Sequence, residues 1–242
     1  MKKIYTLACA CLFASTFCQA QQSTNKFAAN VRLAGNYAEK NDIENALLYV
    51  QKLVDSGFSN FVFLDTSVRF SSLRSNKTFK DLVQKVRINA FPCTADPQSR
   101  EFDFWVGEWN AYVTGTENLA GHSLIQKASG DCMILENWTG ARMPYNGKSV
   151  NFVDPVTKKW EQVWIGSEGR GTNVARFVNG VYKDNVMKFD FETTDAQGNK
   201  VIGRFSFFNQ GPDQVRQLSE TSADKGKTWV TNYDFTYKRI KQ

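Results

Sequence analysis

The chain has 242 residues, is 42% hydrophobic and 14% aromatic, and carries a formal net charge of +6. That is enough apolar material for a sizeable core in one or two domains. Its 30 basic and 24 acidic residues are intermixed, with no basic block or stripe, so nucleic-acid binding is not expected and a mixed, solvated surface is.

Residues 1–20 read as a cleaved signal peptide. Lys2 and Lys3 form a basic start, residues 4–17 an apolar run too short to span a membrane, and Cys18 and Ala20 occupy the −3 and −1 positions of a cleavage after Ala20. Bulky Phe17 before Cys18 argues against a lipoprotein signal. Removing the segment takes away two lysines and leaves a net charge of +4. The expectation is a periplasmic or secreted protein.

Beyond that segment the cysteines are Cys93 and Cys132. An even pair in an exported chain predicts one disulfide, worth about 3–4 kcal/mol in the chain-entropy account, with two buried thiols as the alternative. Such a bond would pin a helical annex to the segment that follows. The annex occupies 21–92. Apolar residues recur at helical spacing over 27–39, Asn41-Asp42 offers an N-cap to a helix over 43–55, and shorter helical pieces follow near 61–70 and 76–89. Leu33, Ala34, Tyr37, Ala46, Val50 and Leu53 fall where a tetratricopeptide repeat places its packing residues. One such unit reads as a packed cap rather than as a peptide-binding array, which needs about three. Pro92 to Pro97 breaks the pattern, so 93–100 is assigned as a linker.

From 101 to 242 the period becomes two. Strands are predicted over 104–114, 122–128, 131–139, 147–154, 159–166, 171–178, 185–193, 200–209, 213–222 and 227–238. Their joins include Asp154-Pro155, residues 166–169, Asn179-Gly180, residues 196–199 and Gln210-Gly211-Pro212. Eight to ten short strands without intervening helices mean a mainly β protein, an antiparallel up-and-down barrel, behind a small helical segment. In the last strand Trp229, Thr231, Tyr233, Phe235 and Tyr237 share one face, which is expected to point inward.

Gly107-Glu108-Trp109 resembles the Gly-x-Trp signature of the first strand of lipocalins and other calycins. Taken with the 101–113 run, Gly121-His122-Ser123, Glu136-Asn137-Trp138, residues 159–164 and residues 220–229, the pattern over about 101–240 resembles an uncharacterised family of exported bacterial proteins with a lipocalin-like barrel. The resemblance implies that a basic residue near the end of the last strand, Arg239 or Lys238, covers Trp109 and closes the barrel base. It implies a fold and a location but transfers no reaction. Ser222 to Trp229 also fits the Asp-box pattern of sialidase propellers. There Asp224 and Gly226 would shape a hairpin and Trp229 would pack beneath it, a structural role.

No catalytic constellation is legible. The single histidine, His122, stands at a strand start, and with no second histidine and no Cys-x-x-Cys pair a metal site lacks ligands. No cofactor is expected. What remains is polar groups that alternate onto shared strand faces: Glu136 with Trp138, Gln162 with Trp164, and Arg216 with Glu220. Inside a barrel these form either a buried Arg–Glu network that fixes the core or the polar anchor of a ligand whose apolar body lies on Trp138, Trp164 and Tyr233. Glu136 and Glu220 are also the candidate acid/base pair of an enzyme acting at the barrel mouth on a lipid or sugar derivative. The leading expectation is a monomeric binding protein for a small hydrophobic or amphipathic molecule. The alternative to both is a scaffold docking a protein partner through its helices.

Overall fold

The structure, a computed structural model, describes residues 27–142, 144–167, 171–195 and 197–241. The targeting segment 1–20, its cleavage point, and parts of the turns expected at 166–169 and 196–199 lie outside the described residues. The chain divides into two compact units after Pro92.

The first unit is helical. Helix α1 covers 27–39, α2 Ile43–Asp55, α3 Phe61–Thr66 and α4 Lys77–Ala90, with a 3-10 helix at Val68–Leu73 before α4. The starts of α2, α3 and α4 have a local cause. Asp42, Asn60 and Asn76 accept the backbone N–H three residues on, of Asn45, Phe63 and Phe79 respectively, satisfying donors that the first turn leaves free. One apolar stripe per helix builds a single core from Ala34, Ala38, Ala46, Val50, Leu53, Leu64, Phe70, Phe79, Leu82 and Val86. Small alanines let α1 and α2 approach, and Tyr37 stacks on Tyr49 at 5.6 Å between centroids.

The second unit is a closed antiparallel barrel of ten strands in simple meander order. These are β1 Gly107–Val113, β2 Leu119–Ala128, β3 Met133–Gly140, β4 Asn146–Val153, β5 Trp160–Ser167, β6 Thr172–Lys183, β7 Val186–Thr194, β8 Lys200–Asn209, β9 Gln214–Ser222 and β10 Val230–Arg239. β1 pairs with β10, Trp109 opposite Arg239, and this seam closes the wall. Closure joins the first strand to the last, so the sheet has no terminal edge strand.

Several local expectations change. Strand one begins at Gly107, not 104, because Asp103–Trp105 is a 3-10 turn. Gly107 takes φ +142°, and a Cβ there would collide with the Arg239 guanidinium, so only glycine suits the corner. The hairpin expected at Asn179-Gly180 lies at Asp184-Asn185, whose φ angles of 51° and 63° supply the primed turn; 179–180 form an irregularity inside β6. In β10 the register shifts between Thr231 and Tyr233. The expected inward face is therefore broken: Tyr233, Phe235 and Tyr237 point in, while Trp229 lies beneath the Arg204 guanidinium at 4.2 Å.

The residues assigned as linker are part of the barrel unit. Gln98 Nε2 donates to Lys158 O (2.8 Å), Arg100 bonds Asp131 through its side chain and backbone, and Cys93 and Cys132 form a disulfide across 39 residues. Both cysteines fall within the second unit, so the bond fastens the entry segment to the β2–β3 turn rather than fastening the helical unit.

A candidate ligand chamber above a plugged base

The entry segment fills one end of the barrel. Phe102 and Trp105 are fully buried there and pack on Phe207 at 4.9 and 4.7 Å, with Trp160, Phe189 and Tyr237 around them. Trp109 Nε1 donates to Trp105 O (2.9 Å), and the Arg239 guanidinium covers the Trp109 ring at 4.0 Å while donating to Val106 O and Pro212 O. Lys238 instead lies over Tyr112. This end is dense in rings and closed.

The other end is a chamber of about 1530 Å³. Its apolar walls come from Trp138, Trp164, Phe177, Phe205, Tyr233 and Phe235. The rings lie against one another, Tyr233 on Phe235 at 5.0 Å and Trp138 on Phe235 at 6.0 Å. Trp164 lies flat on the neighbouring strand at Gly147, where a Cβ would come within 2.2 Å of the indole. A glycine opposite a large ring is how the strand makes room for it.

Between base and chamber runs a polar band across four adjacent strands. Glu136 on β3 is 3% exposed, and its two carboxylate oxygens accept from Ser123 Oγ on β2 (2.8 Å) and Ser149 Oγ on β4 (2.9 Å). Asn151 Nδ2 donates to Ser149 Oγ, and Gln162 Nε2 on β5 donates to Asn151 Oδ1 at 2.6 Å. Across the lumen Tyr237 OH donates to Gln217 Oε1, and Asn232 Nδ2 donates to Ser219 Oγ. Burial pushes the Glu136 carboxyl up to about 7, against the pull of its two serine bonds. Burial, and next the Glu136 charge, push the Tyr233 and Tyr237 phenols upward.

The candidates named from sequence separate cleanly. Glu136, Trp138, Gln162, Trp164 and Tyr233 line the chamber together. Arg216 and Glu220 do not. On β9 the inward positions are Val215, Gln217 and Ser219, and the alternate face carries Arg216, bound to Asp234 (2.9 and 2.6 Å), and Glu220, bound to Arg204 through both carboxylate oxygens (2.5 and 3.0 Å). The anticipated buried Arg–Glu network is thus a pair of half-buried outer-face ion pairs. Glu220 and Glu136 sit on opposite faces of the wall and form no acid/base pair. Asp224 anchors the β9–β10 hairpin, accepting from Ser222 Oγ, Thr228 N and Thr228 Oγ1, bonds that hold its carboxyl down at about 2; Trp229 Nε1 donates to Gly226 O. His122 is exposed and bonds Asn110 on the next strand. Among the described residues no group of three or more His, Cys, Asp or Glu side chains could hold a metal ion.

Sequence reading missed Ser123, Ser149, Asn151, Gln217 and Ser219. Each is a polar residue on the buried parity of its strand, shared with Ile125 on β2 and Val215 on β9. It also missed a gap in the wall. β6 and β7 pair only from Val178 opposite Asp190 to Lys183 opposite Val186; beyond that level β6 pairs with β5 alone and β7 with β8 alone. In a closed wall alternate residues face the lumen. Here consecutive residues, 173–177 and 191–195, line the chamber, so it opens sideways as well as at its mouth.

Comparison of the sequence with models of known protein families finds no match, and no curated protein matches it either. The chain is, in structural class, a ten-stranded antiparallel barrel with an aromatic interior, preceded by a helical unit.

Proposed function

We propose that this is an exported, lipocalin-like protein that binds a small hydrophobic or amphipathic molecule in the open half of its barrel. The observation that carries the reading is the 1530 Å³ chamber of aromatic walls directly above a base packed solid by Phe102 and Trp105. Protein interiors are close-packed, and a large, mostly apolar space with a few convergent polar groups is the usual form of a ligand site. Trp138, Trp164 and Tyr233 would hold the apolar body, and Glu136 with Gln162 would orient a polar head. Export is supported by the Cys93–Cys132 bond, of a kind that persists in oxidising compartments, and by the basic-then-apolar start of the chain. In this reading residues 21–92 form one tetratricopeptide-like packing unit.

The test is a titration with the neutral dye N-phenyl-1-naphthylamine, whose fluorescence rises in apolar surroundings. Wild-type protein should give saturable enhancement at one site per chain. Ala175→Trp, which places an indole into the chamber from β6, should abolish it while far-ultraviolet circular dichroism stays unchanged. No enhancement, or full enhancement in a folded Ala175→Trp variant, overturns the reading.

A further inference from the structure

We propose that the chamber selects an amphipathic organic cation, its charged nitrogen seated on Glu136 and its apolar body on the aromatic walls. This inference rests on the binding reading above and names the ligand class.

Glu136 lines the chamber and, among the described residues that line it, is the one charged group of the interior. The other charged lining residues are at the rim: Arg142, Arg176 and Glu192 are exposed, and Asp195 accepts from Gln197 N and Asn199 N in the β7–β8 turn. A carboxylate offers about four acceptor positions, and the serines use one on each oxygen. Buried charge is retained only when paired, and the basic residues are committed elsewhere: on the neighbouring strands Lys127 to Asp103 and Lys148 to Asn137, and farther round the wall Arg204 to Glu220, Arg216 to Asp234 and Arg239 to the base. Burial holds the apo carboxyl near neutrality, poised to ionise when a cation arrives.

The surroundings fit the same occupant. Trp138, Phe235 and Tyr233 stack in a row on the Glu136 side, and the Glu136 field reaches the Tyr233 and Tyr237 phenols. Aromatic faces attract a cation, most strongly where water is excluded. A carboxylate ligand would set two like charges together without a cation between them. The groups packed against Glu136 are Ser123 on β2, Ser149 on β4 and the two β10 tyrosines, none of them charged at neutral pH.

The experiment compares dodecyltrimethylammonium, dodecanol and dodecanoate by isothermal titration calorimetry at pH 8, each below its micelle threshold. The cation should bind at least about tenfold more tightly than the alcohol, and dodecanoate more weakly than the alcohol. Glu136→Gln should erase the difference, so that cation and alcohol bind with the same affinity. If that variant fails to fold, the wild type serves: preference for the permanently charged ligand should fall as pH drops from 8 to 5 and Glu136 takes up its proton. Equal affinity for cation and alcohol, or an undiminished preference in Glu136→Gln or at pH 5, overturns the cation assignment and leaves the binding reading standing. Binding of none of the three overturns both.

Discussion

The two ends of the barrel are built from the same strands and the same residue types, yet one is solid and the other hollow. At the base, the Phe102–Trp105 turn brings two rings that no strand contributes, and Arg239 seals them under Trp109. At the mouth no segment enters among the described residues, and the wall itself parts between β6 and β7. A barrel of ten strands encloses more space than its own inward side chains fill. Density at one end is therefore supplied by the entry segment, whose rings pack among those of the strands.

The contrast is breakable at the base. Trp105→Ala or Trp109→Ala, each removing a fully buried indole, should cost about 3–5 kcal/mol and lower the urea midpoint accordingly. A soluble, undiminished Trp105→Ala variant would mean the plug carries no weight. Removing the Cys93–Cys132 bond by double substitution to serine frees the entry segment, with an expected loss of about 3–4 kcal/mol.

Glu136, at the boundary between the two ends, sharpens the comparison through pH. Its folded pKa of about 7 lies above the ordinary 4.5 of a glutamate, so between those values the folded state binds the extra proton. Its contribution is most favourable below about 4.5 and is lost as pH rises through 7. In the apo protein, Glu136→Gln should therefore be more stable than wild type by about 2–3 kcal/mol at pH 8, with the gain vanishing toward pH 4.5, in paired thermal melts. A gain independent of pH would mean that the carboxyl is not desolvated. The smallest effect belongs to the chamber wall. Trp164→Ala, half-buried against an open space, should cost only about 1 kcal/mol while weakening dye binding.

The ten strands were legible because alternation and turn residues are local, and so was Trp109 near the start of the first strand. Parity tells which residues share a face but not which face is inner. On β9 both faces mix polar and apolar groups, so Arg216 and Glu220 were read inward and lie outward. On β10 one register shift reverses the parity between Trp229 and Tyr233. The plug was hidden for a different reason: Phe102, Phe104 and Trp105 form an aromatic run that reads as strand, and only the closed barrel gives them a cavity to fold into.

The most direct measurement is native mass spectrometry of the protein recovered from the medium or periplasm of an exporting bacterium. A reproducible added mass, released on denaturation and identified as a small amphipathic molecule, is the predicted result. A bare polypeptide mass in every such preparation, two hydrogens light for the disulfide and with nothing in the extract, would contradict the claim that the open half of the barrel is a ligand chamber.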